Sequence, residues 1–324
     1  MDTLTLKVQE IEQLTSGIKK FVFQAPNAAD LPSFSAGAHI DLQLENGLIK
    51  SYSLANDPSE TNRYVTAILR EADGAGGSIY MHDEVSVGDE LTATPPQNSF
   101  EISDDASQHI FLAGGIGITP LLAMGYTLVA EGKDCHLHYC SKSVEETAFM
   151  DEVKALFGDN HTFYHDGGNP ANGIDLTETF SAQPDGAHVY ICGPAGLLNA
   201  AREATSHWRD GSVHFELFSS AKTEEEKAAD AAQAEGDGAF EIELAQSGKT
   251  LTVPADKSIL QVLWDNDIEV LHACEEGWCG NCVVDYLSGG VDHRDEVLDD
   301  TDRETKIQVC ISRALPGEKI VLDL

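Results

Sequence analysis

Three cysteines packed into nine residues, with a fourth far downstream, constrain this chain more than any other feature. Cys274, Cys279 and Cys282 stand in C-E-E-G-W-C-G-N-C, a C-x4-C-x2-C spacing, and Cys310 lies in I-Q-V-C-I-S-R. A [2Fe–2S] cluster needs two thiolates on each iron and a short loop that aims backbone N–H groups at the sulfurs, and this is the plant-type spacing. Gly277 and Gly280 suit such a wrap, because glycine tolerates positive φ and lets backbone approach closely. A zinc knuckle or two disulfides is the competing reading. Zinc sites usually show two C-x2-C pairs, whereas Cys310 stands alone, so the spacing favours the cluster. One-electron chemistry is the first expectation.

The 324 residues are enough for two or three domains, and 42% apolar content is ample for packed cores. The seven cysteines are odd in number, and Met1-Asp2-Thr3-Leu4 runs into strand-like alternation with no basic and apolar leader. A cytoplasmic protein with reduced thiols, monomeric on its own, is expected. The formal net charge of −35 argues against nucleic acid and anionic membrane as partners, since phosphate recognition wants Lys and Arg. The acid is spread throughout: residues 1–222 carry 31 acids and 12 bases, and residues 239–324 carry 18 and 7. Either the whole surface is acidic for solubility in salt, or the charge steers docking to a basic partner. His109 to Ala130 is 22 residues without a charged side chain, bilayer-spanning by length. Gly114-Gly115-Ile116-Gly117 and Pro120 instead indicate a buried strand, a glycine turn and a helix, so no transmembrane segment is expected.

The texture divides the chain. Residues 1–103 show short alternating segments (Leu4 to Val8, Ile18 to Phe23, His39 to Leu44, Tyr64 to Leu69), the signature of an antiparallel β-barrel domain. Residues 104–222 alternate apolar strands at Ile110, Leu137 and Val189 with helices over Met150–Phe157 and Pro194–Thr205, an α/β domain with a parallel sheet. Residues 223–238 are acidic and Ala-rich and read as a linker. Residues 239–324 begin with a hairpin, Phe240 to Leu244 and Leu251 to Val253. Then come a helix capped by Ser258, the cysteine loop, a strand from Val283, and closing strands around Val309 and Ile320. This is a compact α+β pattern of the β-grasp type.

Phe111-Leu-Ala-Gly-Gly-Ile-Gly-Ile-Thr-Pro is a strand, a glycine turn and a helix start, with Gly114, Gly115 and Gly117 in the turn and Thr119 and Pro120 opening the helix. Such a turn lets backbone approach a pyrophosphate at a helix N-terminus, although glycine-rich turns also occur for packing alone. Lys50-Ser51-Tyr52-Ser53 resembles the R-x-Y-S flavin motif of the ferredoxin–NADP reductase superfamily. Gly76-Gly77-Ser78 resembles its flavin phosphate loop, and Cys192-Gly193-Pro194 resembles its C-G-P motif. Phe218 ends His214-Phe215-Glu216-Leu217-Phe218 where relatives place an aromatic over the flavin. Taken singly, Tyr52, Cys192 and Phe218 would be core residues. Their order in one chain argues for a shared site.

In the order flavin, nicotinamide, iron–sulfur, essentially the whole chain resembles the reductase components of two-component Rieske oxygenases, the group of phthalate dioxygenase, vanillate demethylase and carnitine monooxygenase reductases. Asp292-His293-Arg294-Asp295 and Leu322-Asp323-Leu324 also resemble that group, with no chemistry attached. The resemblance implies an NAD(P)H-dependent oxidoreductase that takes a hydride from NADH onto FMN and relays single electrons through the cluster to an oxygenase component. FMN rather than FAD is implied because the adenine-binding stretch of FAD relatives has no candidate here. It implies that Tyr52, Ser53 and Ala67 line the flavin, that Lys50 or Arg70 grips its phosphate, and that Thr119 and Cys192 set the nicotinamide. Phe218 would gate its stacking. Lys50 replaces the usual Arg, a point charge for a bidentate fork. After Tyr139 the chain reads Cys140-Ser141-Lys142-Ser143, which could tolerate a 2′-phosphate and leaves NADPH open. Rival expectations are a reductase serving a cytochrome P450 or another monooxygenase, and an iron–sulfur sensor without turnover.

Overall fold

Alternation of apolar residues dictates the first sheet. A computed structural model describes residues 3–45, 47–72, 76–217, 237–266, 268, 270, 277, 280, 282–295, 298 and 301–324. Strands β1 (Leu4–Gln13), β2 (Ile18–Gln24), β3 (His39–Gln43), β4 (Ile49–Ser53), β5 (Tyr64–Leu69) and β6 (Glu90–Ala93) pair antiparallel in the order β4-β3-β6-β1-β2-β5. Leu6, Val8, Phe21, Phe23, Ile40 and Leu42 point inward and are fully buried. Each buried Phe of this kind contributes roughly 1.5–3 kcal/mol. The two ends of the sheet meet: Thr66 Oγ1 donates to the Ser53 carbonyl (2.9 Å), and Ala55 N donates to the Val65 carbonyl (2.8 Å). That closure makes the barrel. Helix α1 (Gly77–Asp83) packs on it through Met81.

The next stretch folds as expected from its βαβ rhythm. Strands β7 (Gln108–Gly114), β8 (Asp134–Ser141), β9 (His161–His165), β10 (Ala187–Gly193) and β11 (Val213–Leu217) form a five-stranded sheet, order β11-β10-β7-β8-β9, with every pairing parallel. Helices α2 (Ile118–Ala130), α3 (Met150–Phe157), α4 (Leu176–Thr179) and α5 (Ala195–Ala204) connect the strands. Strand order reverses between β7 and β10, and ligands of open α/β sheets bind at such switch points. The uncharged run from His109 becomes β7, a turn and α2, and no described helix is long and apolar enough to cross a membrane. Barrel residues Ile18, Ala55 and Ala67 share one apolar cluster with Phe111, Ile118, Tyr139 and Cys192. Both parts accordingly form one compact unit, Met1–Ala221, and Lys222–Leu324 forms another.

In the second unit β12 (Phe240–Leu244), β13 (Lys249–Val253), β14 (Val283–Ser288), β16 (Lys306–Gln308) and β18 (Lys319–Leu322) form a mixed sheet, order β13-β12-β18-β14-β16. Strands β15 (Val291–Asp292) and β17 (Arg313–Ala314) make a separate pair. Helix α6 (Ile259–Trp264) starts with a reciprocal capping box: Ser258 Oγ accepts from Gln261 N (3.1 Å) and Gln261 Oε1 accepts from Ser258 N (3.0 Å). Its apolar face covers the sheet as in a β-grasp. The terminal Leu322-Asp323-Leu324 has a structural explanation: β18 is the central strand, parallel to β12, and its end takes bonds from Ala245 and Gln246. The strand expected around Val309 is β16, which ends one residue before it. Val309 lies just beyond β16, where the chain turns and Val309 N donates to the Cys282 carbonyl (3.1 Å). The segment expected as a linker lies outside the described residues except for Asp237 and Gly238.

Candidate functional site

At the switch point two turns are pressed together by glycines. A Cβ on Gly117 would lie 2.2 Å from the Cys192 carbonyl oxygen, and one on Gly114 would lie 2.7 Å from both Pro194 Cδ and Leu197 Cδ2. Gly193 meets Gly114 in the same way, at 2.9 Å from its Cα. The sequence thus brings Gly114, Gly117, Cys192, Gly193 and Pro194 into one place by leaving side chains out. Gly115 has φ +53° and open space where a Cβ would stand, so backbone is accessible on that side. Tyr139 pins the turn, its hydroxyl donating to the Gly115 carbonyl at 3.0 Å. An accessible glycine turn at the start of the 13-residue α2 fits a pyrophosphate. Thr119 is buried and its hydroxyl donates to the Ile116 carbonyl (3.1 Å), so it braces the turn, with Pro120 buried beside it.

Cys192 is fully buried, and strand register sets it beside Glu216. Its thiol donates to Glu216 Oε2 at 3.8 Å, and burial, followed by the nearby carboxyl, holds the thiol pKa well above the ordinary range. Burial also pushes the Glu216 carboxyl up to about 8, so it is protonated at neutral pH and carries a proton at the sheet edge. Sequence reasoning missed Glu216. The signal available was a lone acid inside the aromatic run His214-Phe215-Glu216-Leu217. Phe218 lies outside the described residues.

On the barrel, β4 carries the Lys50 to Ser53 motif. Ser51 Oγ donates to Asp41 (2.5 Å), Tyr52 is half-buried, and Ser53 is buried with its carbonyl bonded to Thr66. Burial first, then the Glu71 charge, raise the Tyr52 phenol, which stays protonated. The Lys50 stem lies over Gly77, where a Cβ would stand 2.5 Å from Lys50 Cγ, and Gly76 has φ +88°. Ser78 Oγ accepts from Glu71 N (3.1 Å). Lys50, Gly76, Gly77 and Ser78 are therefore neighbours, joined by an unforeseen acid, Glu71. Burial raises that carboxyl and the Lys50 charge partly offsets the rise. Arg70 is turned instead to Asp83, 2.7 Å away, and does not face this group. Ala67 is buried in the cluster shared with Cys192.

At the end of β8, Ser141 is not open to a 2′-phosphate. It is buried, 2.7 Å from Thr147 Oγ1 and 3.0 Å from His165 Nδ1. Lys142 is exposed, and Asp166 sits beside it, its N–H bonded to the Ser141 carbonyl (3.2 Å).

In the second unit Cys282 and Cys310 are buried, and the Val309-to-Cys282 bond sets their two stretches side by side. Leu260 N donates to the Val309 carbonyl (2.9 Å), tying α6 to the same place. Gly277 and Gly280 both take positive φ, +84° and +77°, the conformation a cluster-wrapping loop needs. Cys274 and Cys279 lie outside the described residues. Two buried thiol positions beside two left-handed glycines fit a [2Fe–2S] cluster.

Three family models match the chain in succession: "Oxidoreductase FAD-binding domain" over residues 5–102, "Oxidoreductase NAD-binding domain" over 111–203, and "2Fe-2S iron-sulfur cluster binding domain" over 242–315. The phthalate 4,5-dioxygenase oxygenase reductase subunit of Pseudomonas putida is 41% identical over 321 residues, covering 98% of this chain and 96% of the relative. A solved structure of phthalate dioxygenase reductase superposes with a TM-score of 0.71 at 40% identity, covering 99% of this chain and 98% of that one. A self-sufficient type IV cytochrome P450 monooxygenase gives a TM-score of 0.78 at 37% identity, covering 99% of this chain and 41% of that one.

Proposed function

Because this chain belongs to the phthalate dioxygenase reductase family of flavin, NAD and [2Fe–2S] oxidoreductases, we propose that it carries electrons from NADH through FMN and its cluster to a Rieske-type oxygenase component. The observation that carries the reading is the match of all three modules, in order, along nearly the full length of a relative named as an oxygenase reductase subunit. The bound flavin supplies the exchange between a two-electron hydride and single electrons, which an iron–sulfur cluster can carry.

The chain's own residues bind and orient. Gly115 to Gly117 admit the pyrophosphate, while Cys192 and Glu216 form the floor under the nicotinamide. Tyr52, Ser53 and Ala67 hold the flavin, and Lys50 with Gly76, Gly77 and Ser78 meets its phosphate, with Arg70 engaged elsewhere. Phe218 is assigned to stack at the flavin. Cys274, Cys279, Cys282 and Cys310 hold the irons. NADH is favoured over NADPH because Ser141 is withdrawn and Asp166 stands beside Lys142, so an added phosphate would meet a carboxylate. The boundaries 1–103, 104–222, 223–238 and 239–324 belong to this reading, and the three family matches fall inside them. So does a cytoplasmic setting, in keeping with the unbridged thiols Cys135, Cys140 and Cys192.

Anaerobic mixing with NADH should bleach flavin absorbance first and cluster absorbance second, and acid release should yield FMN. In Cys310→Ser the cluster signal and cytochrome c reduction should vanish while flavin bleaching survives. Loss of flavin bleaching in that variant would refute independent domains, and no bleaching in the parent chain would refute the function. The match to a P450 monooxygenase favours one second reading, a haem acceptor. A panel of Rieske and haem acceptors separates the two.

A further inference from the structure

The run Asp292-His293-Arg294-Asp295 has no part in the reading above, yet it touches three stretches of the second unit. Arg294 donates to both oxygens of Asp237 (Nη1 2.9 Å, Nη2 2.5 Å) and through Nε to Asp292 (2.8 Å). Asp237 also lies 3.3 Å from Nε of Arg313, so two guanidinium groups share one carboxylate. The side chains of Arg294, Arg313 and Asp237 are only 16%, 8% and 11% exposed, which distinguishes this network from an ordinary surface pair. Arg313 further donates to the carbonyls of Lys257 (2.9 Å), Pro254 (3.0 Å) and Gly238 (3.2 Å) and lies over the Phe240 ring.

Both sides of the cluster region are within reach of this network. Asp292 pairs with Arg313 across the β15–β17 ladder, three residues beyond Cys310, and Arg294 N donates to Ser312 Oγ (3.3 Å). On the other side, a Cβ on Gly277 would lie 3.5 Å from the Asp295 Cα. Leu298 N and Arg303 hold Asp295 in turn, at 2.8 Å and 2.7 Å. Asp237 also stands three residues before β12, the first strand of this unit.

We propose that Asp237 and Arg294 are positioning residues for the cluster, their ion pair tying the point where the chain enters this domain to the stretches around Gly277 and Cys310. The inference rests on the reading that the domain holds a [2Fe–2S] cluster. A planar fork reaching two oxygens fixes orientation as well as distance, which a single contact does not. A disturbance at Asp237 is therefore transmitted to the Cys310 segment, and the cluster's surroundings respond without any change in its ligands. Outer contacts of this kind tune a metal centre's properties.

The test uses the full-length holoprotein with Asp237→Ala, Arg294→Lys and Asp237→Glu, read by the electron paramagnetic resonance of the reduced cluster, its midpoint potential, and the rate of cluster loss on standing. Asp237→Ala and Arg294→Lys should alter the resonance line shape, shift the potential and speed cluster loss several-fold, while the NADH-to-flavin step keeps its rate. Asp237→Glu, which keeps the carboxylate, should recover part of each change. Should the first two variants fail to fold, Asp292→Asn, which removes only the more exposed partner, should show the same shifts in smaller measure. Line shape and potential unchanged in every folded variant, whatever their melting temperatures, would overturn the proposal alone. A parent chain with no cluster signal would overturn the reading beneath it as well.

Discussion

At Gly117 one missing methyl group decides whether two turns can meet. The nearest atoms to a Cβ there are the backbone of Cys192 and Gly193, at 2.2 to 2.7 Å, and backbone cannot rotate aside as a side chain could. Gly117→Ala must push the Cys192–Gly193 turn away, and with it the floor proposed for the nicotinamide. A loss of about 1.4 kcal/mol is tenfold in affinity. The KM for NADH should rise about tenfold or more, with flavin content and cluster absorbance unaltered. An unchanged KM would mean the nicotinamide binds elsewhere. Residues such as these were legible because their chemistry is local: glycine spacing, a C-G-P triplet and a cysteine count sit in short windows of sequence. Glu216, Ser141 and Arg70 were not. Glu216 is set beside Cys192 by a strand pairing 24 residues apart, Ser141 turns inward to His165, also 24 residues away, and Arg70 chooses Asp83. Local windows hold no information about such partners.

Among the elements, strand existence followed from alternation, while strand order did not, since periodicity says which face is buried and nothing about neighbours. That order matters most at the β10–β11 pair. Arg209 can only donate, so its 2.8 Å contact makes His188 Nε2 an acceptor and leaves the His188 proton on Nδ1. Nδ1 then donates to His214 Nε2 at 3.0 Å, and both imidazoles are neutral. Burial, then the facing His188, pushes His214 down to about 4, and burial followed by Arg209 lowers His188. An imidazole depressed by folding contributes stability that is full above its unfolded pKa of about 6.5 and is lost as pH falls toward about 4. Glu216 on the same strand acts oppositely: raised to about 8, its carboxyl costs stability as pH climbs from about 4.5 to about 8. Between about pH 4.5 and 6.5 the two groups act in opposite directions, so variants at each site, rather than the parent profile alone, separate them. From pH 7 to pH 5 the urea midpoint of His214→Gln should rise relative to that of the parent chain, and Glu216→Gln should gain stability over the parent at pH 8 and little or none at pH 5. Parallel pH profiles for parent and variants would show that neither group titrates with folding.

Over the whole molecule, 55 acids face 20 bases, and the described bases are largely engaged: Lys20, Arg63, Arg70, Lys133, Lys257, Lys306 and Lys319 each pair with a carboxylate. The remaining field is strongly negative, and because its sources are spread along the chain it attracts any basic surface at long range. Such attraction raises encounter rates more than it strengthens a docked complex. Screening removes it, since the Debye length falls from about 10 Å at 0.1 M salt to about 3 Å at 1 M. The same screening relieves repulsion within the chain, so salt should raise its melting temperature. Coupled turnover with an oxygenase partner should therefore fall steeply between 0.1 and 1 M salt, while NADH-driven flavin bleaching changes little and the fold grows more stable. The opposed directions exclude simple denaturation as the cause of any decline. A coupled rate that stays flat, or rises with the melting temperature, would assign the acid to solubility in brine and leave docking to the short-range contacts of the partner surfaces.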